Sequence, residues 1–240
     1  MPNAAALLET VGLSTGYGKK QVLWEVSIRV AESHVLAMIG PNGSGKSTFL
    51  RAVFGLLPIW NGRVRLGAGD IPVPAPGLML RSGVALVPQA GRVFSGLTVL
   101  EHLQLGGMAL RDPERLRRRI EEVLDIFPAL GSRLKSPAWK LSGGEKQMLS
   151  VSLALVRRPK LMLLDEPSLG FAPTLVRRTL STLRELNRNY GMTMLVVEQK
   201  VREVLGIADE VVVLRNGRVA FYGQAEDLAR NEERLREVYL

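Results

Sequence analysis

The 240-residue chain has no cysteine. That excludes disulfide scaffolds, zinc–thiolate centres, iron–sulfur clusters and cysteine nucleophiles together. Its two histidines, His34 and His102, are too few for a multi-histidine metal site. His34 falls at an expected turn and His102 among apolar neighbours on an expected helix, so solvation or packing accounts for both. Aromatic residues amount to only 5%, beside 46% apolar and 23% charged residues. This is too apolar for a disordered chain and too varied for a fibrous repeat. Met1-Pro2-Asn3-Ala4 lacks the cationic start and apolar core of a secretory leader. No apolar run approaches the roughly 20 residues that cross a bilayer. Any membrane role is therefore expected to come through a partner.

What is present begins with charge: 32 basic against 23 acidic residues, a net charge of +9. Such an excess suits nucleic acid, an anionic lipid surface or a phosphate-rich ligand, and equally a plain basic surface. The densest cluster, Arg115, Arg117, Arg118 and Arg119, runs straight into Glu121 and Glu122. It reads as the solvated face of a helix.

Strand signals dominate the first third. Trp24, Val26, Ile28 and Val30 alternate with polar residues, the pattern of a half-buried strand. Val35 to Ile39 is a short apolar run, consistent with a buried one. Asn61-Gly62 suggests a tight hairpin, and the Gly- and Pro-rich stretch from Gly67 to Gly77 an irregular loop. The middle reads as a helical insertion over about 95–158. Thr98 with Glu101 and Ser142 with Glu145 have capping-box spacing, and Asp112-Pro113 supplies a cap followed by proline. Beyond it strands and helices alternate: Leu161 to Leu164, a helix from Pro173 to Arg188, Met192 to Val197, then a hairpin at Asn216-Gly217. Buried strands alternating with helices define an α/β chain with a largely parallel sheet.

One stretch carries explicit chemistry. Gly40, Pro41, Asn42, Gly43, Ser44, Gly45, Lys46 and Ser47 fit G-x-x-x-x-G-K-[ST], between a strand and a helix-compatible run. Glycines let successive amides converge on phosphate oxygens, and the helix start adds its positive dipole end. Lys46 places a point charge on the outer phosphates and Ser47 supplies a hydroxyl for Mg2+. A second strand, Leu161 to Leu164, ends in Asp165 and Glu166. Asp165 is expected to orient the ion and Glu166 to act as general base on a water.

Leu141-Ser142-Gly143-Gly144-Glu145 makes a second anion-friendly helix start, with serine as cap and two glycines for close backbone approach. One nucleotide rarely needs two such sites within one molecule. Two molecules packed head to tail would use both, each lending its Ser142 helix to the other's γ-phosphate.

Together these strings resemble the ABC ATPases over essentially the whole chain. Gly40 to Thr48 matches their Walker A loop, Leu161 to Glu166 their Walker B strand, and Leu141 to Glu145 their signature motif. The resemblance implies a P-loop ABC ATPase fold: a mostly parallel core sheet, an antiparallel β part and a helical subdomain, in one nucleotide-binding domain over 1–240. It implies that Gln89 senses Mg2+ and the membrane partner, and that Tyr17 stacks on adenine. Ser142 to Glu145 with Lys146-Gln147-Met148-Leu149, Asp165 to Pro173, Val197-Glu198-Gln199 and Val238-Tyr239-Leu240 are similar to one subgroup. It is the shorter ATPase of branched-chain amino acid importers, with urea-importer ATPases close to it. Two residues depart from the general ABC pattern: Gln199 replaces the usual histidine and Gly170 the usual aspartate. Trp139-Lys140 before the signature is also atypical.

The implied activity is ATP hydrolysis with Mg2+, using Lys46, Glu166 and Gln199, coupled to transport. The implied partners are transmembrane permease subunits, a second ABC ATPase subunit (the same chain or another) and, indirectly, a substrate-binding protein. The implied place is the cytoplasmic face of the membrane, peripherally bound, with no nucleic acid expected. A soluble ABC-type switch on nucleic acid is the alternative from charge. A weak regulatory half of a heteromer is the alternative from Gln199 and Gly170.

Overall fold

In the computed structural model, which describes residues 5–89 and 92–239, the chain opens with two long strands. β1 (Ala6–Tyr17) and β2 (Lys20–Ala31) form an antiparallel pair. β3 (Val35–Ile39), α1 (Lys46–Phe54), β4 (Asn61–Leu66), β5 (Gly69–Ile71), α2 (Pro76–Arg81) and β6 (Val84–Val87) follow. Next come α3 (Val99–Gly106), α4 (Pro113–Ile126), α5 (Pro128–Gly131), a 3-10 turn at Ala138–Lys140 and α6 (Gly143–Leu155). The chain returns through β7 (Leu161–Asp165), α7 (Pro173–Tyr190), β8 (Thr193–Val197), α8 (Val201–Leu205), β9 (Glu210–Arg215) and β10 (Arg218–Gln224). It finishes with α9 (Ala225–Ala229) and α10 (Glu232–Tyr239). Met1–Ala4, on which the leader reading rests, lie outside the described residues, as do Ala90 and Gly91 of the loop after Gln89, and Leu240.

Two sheets result: an antiparallel one, β2-β1-β4-β5, and a six-stranded one, β10-β9-β3-β8-β7-β6. The second is parallel from β9 to β6, with β10 antiparallel at its edge. All five residues of β3, β7 and β8 are buried, as a sheet covered on both faces requires. Alternate residues divide between two cores. Leu36, Met38, Leu163 and Leu195 meet α1 and the antiparallel sheet. Ala37, Ile39, Met162 and Val196 meet α6, α7 and α8. Phe49, Leu50 and Val53 of α1 are wholly buried. Each contributes roughly 1.5–3 kcal/mol and clamps the helix that follows the phosphate loop.

Local signals fare well. Thr98 and Ser142 each form a full capping box, Asp112 accepts from Glu114 N and Arg115 N, and Asn216-Gly217 turns between β9 and β10 with both residues at positive φ. The expected helical stretch, 95–158, holds α3 to α6 and contributes no strand to either sheet among the described residues. Arg115, Arg117 and Arg118 are exposed as expected, whereas Arg119 is half-buried; Arg117 pairs with Glu114 and Arg119 with Glu122.

Three expectations need correction. Asn61-Gly62 is no hairpin: Asn61 Oδ1 accepts from Gly62 N at 2.9 Å and opens β4, which pairs antiparallel with the distant β1 on one side and with β5 on the other. The stretch from Gly67 to Gly77 is not wholly irregular, since β5 and the start of α2 lie in it. Trp24 does not continue the buried face of Val26, Ile28 and Val30. Glu25 takes φ 51° at a register shift between Leu13↔Val26 and Thr15↔Leu23, so the parity flips and Leu23 turns inward instead. Trp24 is left exposed under the guanidinium of Arg218.

Candidate active site

Because β3, β6, β7 and β8 run parallel, their C-terminal ends reach one edge of the sheet. β3 delivers Gly40 to Ser47 there, β6 Gln89, β7 Asp165 and Glu166, and β8 Glu198 and Gln199. Met38 and Asp165 both lie opposite Val197 in register, so the three central loops leave from the same level. Open α/β sheets place their ligands at this edge.

The Gly40–Ser47 loop is wedged between neighbours. A Cβ on Gly40 would lie 2.1 Å from Leu214 O, and one on Gly45 2.5 Å from Leu23 Cδ2 with φ at 104°. Only glycine fits either place. Pro41 is half-buried, Asn42 and Gly43 are exposed, and Ser44, Gly45, Lys46 and Thr48 are buried. Lys46 heads α1, whose N-terminus has no side-chain cap, so its dipole end faces the loop. Lys46 is only 5% exposed, and its ammonium donates to Gly40 O at 2.8 Å and Pro41 O at 3.0 Å. Burial lowers its pKa, opposed by the charges of Glu166, Asp165 and Glu198. The Ser44 hydroxyl is buried without a protein partner. A polyanion in this loop would meet donors already in place.

Ser47 Oγ donates to Asp165 Oδ1 at 2.7 Å. Burial pushes the Asp165 carboxyl above its ordinary pKa, the Ser47 bond pulls it down, and Glu166 adds to the rise. A hydroxyl and a carboxylate in contact beside a phosphate loop are hard oxygen donors of the kind Mg2+ takes. No cluster of three or more His, Cys, Asp or Glu suited to a metal exists among the described residues. The Ser47–Asp165 pair suits an ion that takes its remaining oxygens from substrate and water.

Glu166 is 4% exposed and takes φ 48°, a left-handed conformation uncommon for glutamate. Its backbone N–H donates to Val197 O at 2.9 Å, tying the end of β7 to the end of β8. Two amides hold its carboxylate, Gln89 Nε2 on Oε2 and Gln199 Nε2 on Oε1, each at 2.6 Å. A carboxylate can only accept, so both amide NH2 groups must face it. The wholly buried Glu198 was read only as part of a motif. It accepts from Ser168 N at 2.9 Å and Gln199 N at 3.0 Å, bracing the two loops that carry Glu166 and Gln199.

Tyr17 stands at the end of β1 and is 43% exposed. Arg51 Nη1 donates to its hydroxyl at 3.1 Å, and Thr48 Oγ1 is 3.5 Å away, so the ring is tethered to α1. Leu141 to Glu145 lies apart. Ser142 N donates to Glu145 Oε2 at 2.8 Å, Glu145 N returns to Ser142 Oγ at 3.3 Å, and Arg133 pairs with Glu145. Among the described residues, none of these bonds reaches the phosphate loop, Asp165 or Glu166. Ser142 and Gly143 are exposed, whereas Gly144 is buried against Leu175 of α7. Trp139 is 60% exposed, with the Lys140 ammonium 5.1 Å from its ring centroid.

His102 and Tyr239 carried no assigned role in the sequence reading, yet both brace this region. His102 is wholly buried. Phe94 N donates to its Nε2 at 2.9 Å, which leaves Nδ1 to donate to Thr98 O at 2.7 Å. Tyr239 donates to Gly40 O at 3.2 Å.

A phosphate loop, a serine on an aspartate and a two-amide glutamate at the strand end define a P-loop nucleoside-triphosphate hydrolase. The ABC transporter family model matches residues 23–169, and the chain belongs to that family as an ATP-binding, ATP-hydrolysing subunit. The chain is 38% identical to the probable branched-chain amino acid transport ATP-binding protein LivF of Archaeoglobus fulgidus, over 95% of this chain and 96% of that one. It is also 38% identical to the high-affinity branched-chain amino acid transport ATP-binding protein BraG of Pseudomonas aeruginosa, over 95% and 97% of the two chains. A nucleotide-free ATP-binding cassette from an ABC transporter superposes with TM-score 0.86 at 27% identity, covering 98% of this chain and 99% of the other. Among the described residues no helix is long and apolar enough to cross a membrane.

Proposed function

We propose that this chain powers the import of branched-chain amino acids as one nucleotide-binding domain, bound to permease subunits at the cytoplasmic face of the membrane. A substrate-binding protein feeds the permease. The single observation that carries the catalytic reading is Glu166, held by Gln89 and Gln199 beside the Ser47–Asp165 pair. The transported substrate rests on the likeness to LivF and BraG.

ATP lies along Gly40 to Thr48 with its adenine on Tyr17. Lys46 turns from backbone carbonyls toward the β- and γ-phosphates. Ser47, Asp165 and Gln89 would hold Mg2+, which would supply charge neutralisation on the phosphates. Glu166 accepts a proton from water as the water oxygen bonds to the γ-phosphorus and the bond to the ADP oxygen breaks. ADP and inorganic phosphate are the products. Gln89 and Gln199 fix the carboxylate, and each carboxylate oxygen keeps a further lone pair for the water. Gln199, being neutral, adds hydrogen bonding and no positive charge.

Among the described residues, the exposed Ser142 helix start makes no bond to the phosphate loop, Asp165 or Glu166 of its own subunit. Ser142 and Gly143 complete the site of a second ATPase subunit packed head to tail, and ATP closes the pair. The test is light scattering of Glu166→Gln with Mg-ATP, with Mg-ADP and without nucleotide. Doubling of mass with ATP alone supports the reading. A monomer throughout, with ATP bound, removes self-assembly from it, and leucine uptake by vesicles holding the assembled transporter checks the substrate.

A further inference from the structure

The Gly40 carbonyl accepts from two donors that come from far-separated parts of the chain, Lys46 Nζ at 2.8 Å and Tyr239 Oη at 3.2 Å. Tyr239 ends α10, lies 199 residues beyond Gly40 and falls outside the stretch that the family model matches. Its helix is seated by independent contacts. Leu235, Val238 and the Tyr239 ring pack on the core formed by β9 and α9. The Arg234 guanidinium lies 5.1 Å from the centroid of Phe221, and Arg215 Nη1 donates to Glu237 O at 3.4 Å. Burial, and then the nearby charge of Glu166, push the phenol pKa up, so the hydroxyl remains a donor through the neutral range.

Counting donors gives this contact a function. An ammonium has three N–H groups. Lys46 commits two, to Gly40 O and Pro41 O. One remains for a diphosphate. Contacts to both a β- and a γ-phosphate oxygen need two, so one carbonyl must be released. Gly40 is buried against the Leu214 backbone, where an unpartnered carbonyl is costly. Its second donor removes that cost.

We propose that Tyr239 is a positioning residue of the phosphate loop, holding the Gly40 carbonyl so that Lys46 is free to engage the γ-phosphate. This rests on the reading of Gly40 to Thr48 as the ATP loop. The consequence is selective: the hydroxyl favours the triphosphate over the diphosphate, and with it the closed over the open subunit pair.

Calorimetric titration of wild type and Tyr239→Phe with Mg-ATPγS and with Mg-ADP tests it. The variant keeps the ring and its packing and loses only the oxygen. We expect ATPγS affinity to fall about threefold to tenfold, as for loss of one such hydrogen bond, with ADP affinity held within about a factor of two. The melting temperature without nucleotide should not change. Equal losses for both nucleotides would mark a merely structural contact, and no loss for either would remove the role; both overturn the proposal. Wild type binding neither nucleotide overturns the ATP reading itself, and this proposal with it.

Discussion

Gln199 Nε2 donates to Glu166 Oε1 at 2.6 Å, so the residue that departs from the usual ABC histidine is bonded directly to the expected general base. Together with Gln89 on the other carboxylate oxygen, it fixes the plane of the group that must face the attacking water. Replacing Gln199 by leucine keeps the bulk and removes the donor. We expect kcat for ATP to fall about 10- to 100-fold with KM changed less than about threefold, since the bond matters most as charge develops. Steady-state phosphate release measures both constants.

Loss of the base itself should be more severe. Glu166→Gln is expected to lower kcat by about 10²- to 10⁴-fold while ATP binding persists. Single-turnover phosphate release beside equilibrium nucleotide binding separates the two. Wild-type turnover in this variant would remove Glu166 from the chemistry.

Ser142 has two separable jobs. As an N-cap its hydroxyl accepts from Glu145 N, and Ser142→Ala should cost about 1 kcal/mol of stability. As the exposed start of α6 it is proposed to meet the partner's nucleotide, so the same change should impair ATP-dependent pairing in the Glu166→Gln background. Melting curves report the first effect and light scattering the second. Pairing at wild-type ATP concentration would confine Ser142 to the cap.

His102 joins two segments that flank the site. Its Nε2 accepts from Phe94, beyond Gln89; Ser95 O and Leu97 O in turn accept from Trp139 N and Ala138 N, just before the signature. His102→Leu removes the acceptor of the part-buried Phe94 N and the ring bond to Thr98 O, which keeps its backbone bond from His102 N, so the loss should total about 1–3 kcal/mol. A melting temperature lowered by several degrees is the expected result.

Arg184 grips Asp209 through Nη1 at 2.9 Å and Nη2 at 2.8 Å, and Val35 N donates to the same carboxylate at 2.8 Å, anchoring the start of β3. Burial alone would raise the Asp209 pKa, but the Arg184 bonds, the Val35 amide and the Arg184 charge hold it below the ordinary 3.8. The folded value lies under the unfolded one. The stabilisation is therefore complete above about pH 4 and fades as pH falls through the lower folded value. Asp209→Asn should cost about 1.5–3 kcal/mol at pH 7, and the gap from wild type should narrow below pH 4. Melting curves across that range decide it.

Local chemistry explains what the sequence by itself determined. The phosphate loop, both capping boxes, the Asp112-Pro113 start and the Asn216-Gly217 turn each depend on residues a few positions apart. A linear pattern therefore contains their whole cause. The buried runs of β3, β7 and β8 announced a covered parallel sheet for the same reason. A carboxylate pair at the end of such a run is common on surfaces, and Asp165 and Glu166 were legible as a site because the chain also carries the phosphate loop.

Only tertiary structure decided the rest, because the deciding partner lies far along the chain. The pairing of β4 with β1 overrode a hairpin signal at Asn61-Gly62, and one positive φ at Glu25 turned Trp24 outward and Leu23 inward. Glu198 became a brace because β7 and β8 end at the same level, which no local pattern states. Tyr239 reached Gly40 only because α10 packs back over β9, bringing a hydroxyl to a loop 199 residues away. A side chain's periodicity tells which face it belongs to. The atom it meets there is set by how the sheets and helices pack.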